Sequence, residues 1–543
     1  MDFLLVQKNP CPGVFSTEVV MFIVTRICHT CYNRECIKER KGNFIMACTT
    51  LLVGKHASYD GSTMIARNDD SGSGHYTPKK LTVVLPSEQP RLYRSVLSHV
   101  EIALPENPMR YSAVPNAVEG EGLWSGAGVN EANVAMTATE TIASNERVLG
   151  ADPLVVLRKA TENAPEVPGG IGEEDLVTIV LPYIRTAREG VLRTAELLET
   201  YGTYEMNGIA FSDTDEIWWM ETFGGHHWIA KRVPDDHYVV MPNQSGIDSF
   251  DLDDALGEGR NHLCSADLRE FIAAHHLNLS MDGTLNPRDA FGTHDDADHV
   301  YNTPRAWYML RYFNPHSAVW EGPRADYGPR SDDLPWSMKP EKKITVEDVK
   351  YILSSHYQGT PYDPYANGGD TSLRGIYRTI GINRTDFLAL LQLRPYMPAG
   401  ACAVEWLAFG SNVFNVFVPF YPNAERVPEY LSYTEELPDT GSFYWTSRLI
   451  GALADAHYAK GKIHIERYQT AVQSRSHAIL KEYDALISEA AGRDAQDTEI
   501  RALAEEANDK AADMVREESA AVLGKVLIEA SNGMRNSYAR SDA

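Results

Sequence analysis

The sequence predicts an α+β fold, on three observations. Short apolar runs bounded by Gly, Asp, Asn and Ser gather in separate groups along the chain, as the strands of antiparallel sheets do. Between the first groups lies a longer stretch with apolar residues at helical intervals. From about residue 445 to 532 the chain becomes rich in Ala, Glu, Lys and Arg, the composition of helices with a solvent-facing side. Two sheets with helices outside, followed by a helical C-terminal region, satisfy all three.

In chain order, residues 49–53, 63–66 and 81–85 read as strands, the first two joined into a hairpin by the turn Tyr59-Asp60-Gly61-Ser62. A strand over 134–139 follows the turn-forming stretch 126–133. Residues 176–201 have the length and spacing of helix, interrupted near Pro182, which lacks a backbone donor. Strands are next expected over 208–211, 216–222, 227–231 and 238–241, a four-stranded meander whose first turn is Asp213-Thr214-Asp215. Runs at 401–409 and 413–420 flank Gly410-Ser411-Asn412 as a hairpin, with Pro419 suited to an edge. The polar stretch 434–441, with Pro438, separates a core over 48–435 from a helical region over 436–543.

The chain has 543 residues, 43% hydrophobic and 23% charged, enough to bury a large core. Its net charge of -25 repels phosphate backbones and anionic lipid, so no nucleic-acid or membrane partner is expected; a homo-oligomer is compatible with it. Residues 1–47 differ from the rest. They carry a net +2 and four of the seven cysteines, leaving -27 on the remaining 496 residues. They read as a leader or propeptide, or as upstream sequence if synthesis starts at Met46. The apolar run 19–24 is too short for a signal core or a membrane span. Cys28-His29-Thr30-Cys31, with Cys36, supplies one ligand pair where a structural zinc site takes four ligands. Cys48, Cys264 and Cys402 are sparse for the remaining length, which points to a reducing compartment, the cytoplasm.

Cys48 stands directly before the first strand. If the bond preceding it is cut, one residue holds a thiol of pKa about 8.5 and an amine of about 7.7–8.0, a nucleophile with its own base. Left uncut, it is a small semi-buried side chain.

From Cys48 the sequence resembles a known family. Cys48-Thr-Thr-Leu-Leu-Val-Gly and Asp60-Gly-Ser-Thr-Met-Ile-Ala-Arg67-Asn68-Asp69-Asp70 are similar to the start of the bacterial cysteine dipeptidases of the dipeptidase A type. These are N-terminal nucleophile hydrolases related to penicillin V acylase and bile salt hydrolase. The likeness continues through Gly128-Val-Asn-Glu131, Asn302-Thr-Pro-Arg305, Gly359-Thr-Pro-Tyr-Asp-Pro364 and Ile382-Asn-Arg384, spanning most of 48–530. The resemblance implies a four-layer αββα core, dipeptide substrates and no cofactor.

It also implies a site. Arg67 and Asp70 have the spacing of an Arg and an Asp on the second strand of the acylases: Asp70 would hold the α-amino group and Arg67 would favour the thiolate. Without the resemblance the two read as a surface ion pair. Asn243, after the strand 238–241, is the expected side-chain oxyanion donor, with a backbone N–H near Glu140 as the second. Glu140 stands where several acylases have Asn or Tyr. It would face a substrate ammonium group, or else water at a strand end. Arg305 would close the site beside Cys48 and Asp70, or else pair with some acid at a helix start. Three alternatives remain open: dipeptide hydrolysis, an acylase of other amides, and a binding protein of the same fold with Cys48 never freed.

Other chemistries have weaker support. His294-Asp295-Asp296-Ala297-Asp298-His299 and Gly224-Gly225-His226-His227 contain metal-ligand types, but neither makes a His-Glu-x-x-His helix, so no metal is expected. No Gly-x-Ser-x-Gly elbow, Walker loop or dinucleotide loop is visible.

Overall fold

Two strands, β1 (Thr49–Val53) and β2 (Thr63–Asp70), form the antiparallel hairpin expected at the start of the core. Asp60 Oδ1 accepts from the Ser62 amide at 3.1 Å and Gly61 has φ +84°, so local turn chemistry closes this hairpin. The computed structural model describes residues 48–536 apart from Ser73 and His294. The chain divides into Met1–Ile45 and Met46–Ala543. The apolar run 19–24 and the Cys28–Cys31 pair lie outside the described residues.

β1 and β2 are central in a seven-stranded sheet, between strand Tyr238–Met241 on one side and Thr385–Leu393 on the other. Thr385–Leu393 bulges between Thr385 and Phe387, opposite Asp69 and Asp70, at the same end of the sheet as Cys48. A six-stranded sheet contains Ala127–Val129, Ala135–Thr141, Asn207–Ser212, Ile217–Phe223, His227–Arg232 and His262–Cys264. Three apolar cores sort the elements. One lies between the sheets, with Leu52, Ile65 and Leu391 meeting Ala210, Trp219 and Ile229. A second joins Leu51, Met64 and Leu390 to the helices Thr303–Phe313 and Val346–Leu353. The third joins Met136, Phe211 and Trp218 to the helices Glu173–Val180 and Ala187–Tyr201.

Two expectations need correction. The four-stranded meander has three members, because Tyr238–Met241 crosses to pair with β1 in the other sheet. Its residues are apolar on both faces, Val239 and Met241 in the intersheet core and Tyr238 and Val240 in the outer one. Such a strand is stable only with cover on both sides, which a central place beside β1 supplies. The predicted hairpin after 401–409 is also shorter than expected. Strand Ala403–Phe409 pairs with Thr385–Leu393 on one edge and, across the predicted turn, with the three residues Val418–Phe420 on the other, while Asn415 Nδ2 donates to the carbonyls of Phe409 and Gly410, both at 3.0 Å, closing a wide loop. Pro419 sits on that edge strand, where its missing donor costs no ladder bond.

The region expected to be helical after 445 contains Phe443–Asp455, Tyr458–Gly492 and Asp497–Asn532. Ile465, Tyr468, Val472, Leu480, Tyr483 and Ile487 make a buried stripe at helical spacing on the second of these. No helix among the described residues is long and apolar enough to cross a membrane.

Candidate active site

Strand alternation decides which side chains meet at the head of β1. Thr50 pairs with Arg67 across the hairpin, Leu52 and Ile65 enter the intersheet core, and Leu51, Met64 and Ala66 enter the outer one. With a period of two, Cys48, Thr50, Arg67 and Asp69 turn toward the second sheet, while Thr49, Asn68 and Asp70 turn away from it.

Cys48 is fully buried, and its Sγ accepts from Arg67 Nη2 at 2.9 Å. The thiol also points toward Asp69 Oδ1, 3.9 Å away. Arg67 is no surface residue: it is fully buried and donates to Asp69 Oδ1 at 2.9 Å, to Glu173 Oε1, and to the carbonyls of Ala138 and Gly126. Gly126 has φ +68° and a Cβ there would come within 2.4 Å of the Phe387 ring, so only glycine brings that carbonyl to the guanidinium. Buried Lys79 completes the group, 3.0 Å from Asp69 Oδ2. Two cations thus face two carboxylates in a space shielded from water, an arrangement held by mutual compensation of charge. Glu173 opens the helix Glu173–Val180, an N-terminus that favours acids.

Burial pushes the Cys48 thiol well above its ordinary value; Arg67 opposes this, and Glu140, Glu173 and Asp69 add to it. Arg67 therefore pulls toward the thiolate as expected, but burial outweighs the pull and the thiol of the uncut chain keeps its proton.

Across β1, Arg305 reaches in from the helix Thr303–Phe313. It donates to the Cys48 carbonyl, to Thr49 Oγ1 at 2.6 Å, to Asn243 Oδ1 at 2.9 Å and to Asn302 Oδ1 at 2.6 Å. Among the described residues its partners are carbonyl, hydroxyl and amide oxygens and include no carboxylate, unlike the alternative of a helix-start arginine paired with an acid. Anchoring Oδ1 sets the direction of the Asn243 amide, whose Nδ2 donates to the Thr141 carbonyl at 3.1 Å. Asn302 Nδ2 braces the Asn243 carbonyl at 3.1 Å.

Asp70, expected to hold the freed α-amino group of Cys48, does not face the thiol. Its carboxylate is buried on the opposite face of β2, where it engages Arg378 and Thr385 and makes no hydrogen bond to Cys48. The acid beside the thiol is Asp69. Sequence reasoning passed it over, although the strand period places residues 67 and 69 on one face. Glu173, Lys79 and Arg378 were also missed, and no local signal marks them.

Glu140, fully buried, is not the solvated strand-end residue of the alternative reading. Its Oε1 accepts from Thr50 Oγ1 at 2.7 Å, and its Oε2 has no hydrogen-bond partner among the described residues. Burial pushes it up to about 8 against the pull of Arg67 and Arg305. Burial and the adjacent Glu173 likewise raise Glu205 to about 8, so both acids are largely neutral at pH 7. An acid whose pKa is raised on folding stabilises the folded state fully below its unfolded value of 4.5, and that contribution is lost as pH rises through about 8. Glu140→Gln is therefore expected to flatten the fall of unfolding free energy over this range by up to roughly 1 kcal/mol per pH unit. Denaturant titrations at several pH values measure it; a wild-type slope in the variant would contradict the buried neutral acid.

The imidazole clusters do not build a competing centre. His226 and His227 both turn their Nδ1 atoms onto Asp152, at 2.9 and 2.7 Å. His299 Nε2 meets Asp332 at 2.8 Å, Asp298 accepts from Asn302, and His294 lies outside the described residues. Cys48, Asp69 and Glu173 bring potential metal ligands within 4.8 Å of one another. Arg67 Nη2 donates to all three, so a guanidinium supplies the positive charge there.

The sequence matches peptidase family C69 over residues 47–471, starting one residue before Cys48. The chain belongs to that family. A "Dipeptidase" of Bifidobacterium longum (strain NCC 2705) is 54% identical over 532 residues, covering 92% of this chain and 100% of that protein. A "Probable dipeptidase A" of Streptococcus pyogenes serotype M3 (strain SSI-1) is 51% identical, covering 92% and 100%. "Dipeptidase A" of Lactobacillus helveticus is 41% identical, covering 90% and 98%. Among the described cysteines Cys48, Cys264 and Cys402, all free, Cys48 is the one whose sulfur accepts from a guanidinium.

Proposed function

We propose that this chain is a cysteine peptidase that hydrolyses dipeptides, with Cys48 becoming the N-terminal nucleophile once residues 1–47 are removed. The observation that carries the reading is the 2.9 Å contact of Arg67 with Cys48 Sγ, at the residue next to which the C69 match begins. The names of the relatives supply the substrate class. The succession of three apolar cores around two sheets supports an αββα N-terminal nucleophile hydrolase architecture. We assign 48–435 to the catalytic core and 436–543 to the helical region, and place the protein in the cytoplasm on its unbridged cysteines.

The freed amine of Cys48 takes the thiol proton, through a bridging water, while Arg67 steadies the thiolate. Sulfur attacks the peptide carbonyl, and the oxyanion is met by the side-chain amide of Asn243 and a backbone N–H beside Glu140. The intermediate expels the C-terminal amino acid, whose nitrogen receives the proton held by the Cys48 amine. Water then attacks the thioester, giving its proton to the same amine, and the N-terminal amino acid leaves as the thiol is restored. Glu140 receives the substrate ammonium group through Oε2. Asp70 is a positioning residue, acting through Arg378, whose Nη1 lies 3.5 Å from Thr49 Oγ1.

Two measurements test this reading. Intact mass of the purified active protein is expected to correspond to a chain beginning at Cys48; an active chain that begins earlier overturns the self-amine mechanism. Dipeptides are expected to be cleaved at least about 100-fold faster than their N-acetyl forms, because acetylation removes the ammonium group whose charge draws the proton off Glu140 and pairs with the carboxylate. Faster turnover of penicillin V or a conjugated bile salt would identify an acylase instead.

A further inference from the structure

Three guanidinium groups converge on one tyrosine ring beside the nucleophile. Those of Arg305, Arg378 and Arg384 lie 5.3, 5.1 and 5.9 Å from the Tyr301 ring centroid. The arginines are 0%, 8% and 9% exposed, while Tyr301 is partly open to solvent. Arg378 is ion-paired with Asp70. Among the described residues, Arg305 bonds uncharged oxygens only. Arg384 donates through Nη2 to Tyr301 Oη, and among the described residues it makes no ion pair and its buried Nε has no hydrogen-bond partner. The cluster therefore carries an excess of two positive charges in a space mostly closed to water. Charges so placed are stable when paired, which makes the cluster a receptor for an anion.

Its position identifies the anion. Arg305 donates to the carbonyl of Cys48 itself, and the Arg384 carbonyl accepts from the Ser71 amide at 3.1 Å, one residue beyond β2. The cluster thus borders the residue that carries the nucleophile. A dipeptide spans at most about 7 Å, so when its peptide carbonyl meets Sγ both charged ends lie within a few ångströms of it. Glu140 offers a partner to the ammonium end. The carboxylate end needs a cation equally near, and a guanidinium fork matches a carboxylate in geometry.

We propose that Arg384, together with Arg305 and Arg378, forms the pocket that takes the C-terminal carboxylate of a dipeptide, with the Tyr301 ring aligning the three guanidiniums. The proposal rests on the dipeptidase reading above and goes beyond it by explaining substrate length. A third residue would carry the carboxylate roughly 3.5 Å farther along the chain, away from the arginines.

The test compares a hydrolysed dipeptide, chosen from a panel, with its C-terminal amide. For the wild type, kcat/KM is expected to be at least about 100-fold higher for the dipeptide, the scale of a buried charge pair. Arg384→Gln is expected to narrow that ratio to below about 5, and Arg384→Lys to give an intermediate ratio. A wild type that cleaves amide and acid equally well overturns the carboxylate pocket and leaves the dipeptidase reading standing. A wild type that cleaves no dipeptide of the panel overturns both. An unchanged ratio in a folded Arg384→Gln overturns the role of Arg384. The wild-type comparison is decisive even if Arg384→Gln does not fold.

Discussion

Cys48→Ala is expected to lower kcat/KM for dipeptides by on the order of 10,000-fold or more, because the step that forms the thioester loses its nucleophile while the binding groups stay in place. The fold should survive. Sγ is one atom in a buried site, and removing it takes away one hydrogen bond from Arg67, which keeps Asp69, Glu173 and two carbonyls. A loss of roughly 1–2 kcal/mol in unfolding free energy is the scale for such a deletion. Steady-state kinetics on a dipeptide panel and a denaturant titration measure the two effects together. Retained hydrolysis in the variant would sink the mechanism, and loss of activity with loss of fold would leave the thiol a structural part. Cys48→Ser sharpens the result, since the hydroxyl can still accept from Arg67 but is a poorer nucleophile than sulfur; activity between the two extremes is expected.

Arg67→Met should have the largest effect on stability. The side chain is matched in length, but Asp69 and Glu173 lose the cation they share, and Lys79 touches only the first of them. Breaking a buried pair on one side costs about 3–5 kcal/mol, because a charge is left without compensation. Arg67→Lys keeps the charge without the fork and is expected to recover part of the stability while leaving kcat reduced by at least about 10-fold. Denaturation midpoints for all three proteins, read beside kcat, check this. Equal midpoints for Arg67→Met and wild type would mean that Arg67 does not hold the two acids in place.

Much of the fold is written locally. The hairpin of β1 and β2 follows from an Asp-Gly turn between two apolar runs, and the helix over 187–201 from a Thr cap, Thr186, followed at the third position by Glu189. The strand Tyr238–Met241 shows the limit of this reading. Spacing along the chain suggested a fourth meander strand, whereas its two apolar faces required two covered sides, and only the central position beside β1 provides them. The site divides in the same way. Cys48 stands out because of its place before the first strand and the basic leader ahead of it, and Asn243 and Arg305 through motifs. Asp69 could have been found from the strand period alone.

What the sequence by itself determined was the α+β class, the first hairpin, the candidate nucleophile and the family likeness, all of which rest on residues close together in the chain or on short motifs. Only the tertiary structure decided which acid stands beside the thiol, that Glu140 is buried, and that Arg305, Arg378 and Arg384 share one tyrosine ring. Arg67 meets Glu173 across 106 residues and Asp70 meets Arg378 across 308. The physical reason is that a charge can be buried only where opposite charges or hydrogen-bond partners converge from several elements, and that convergence is a property of how sheets and helices pack rather than of any stretch of sequence.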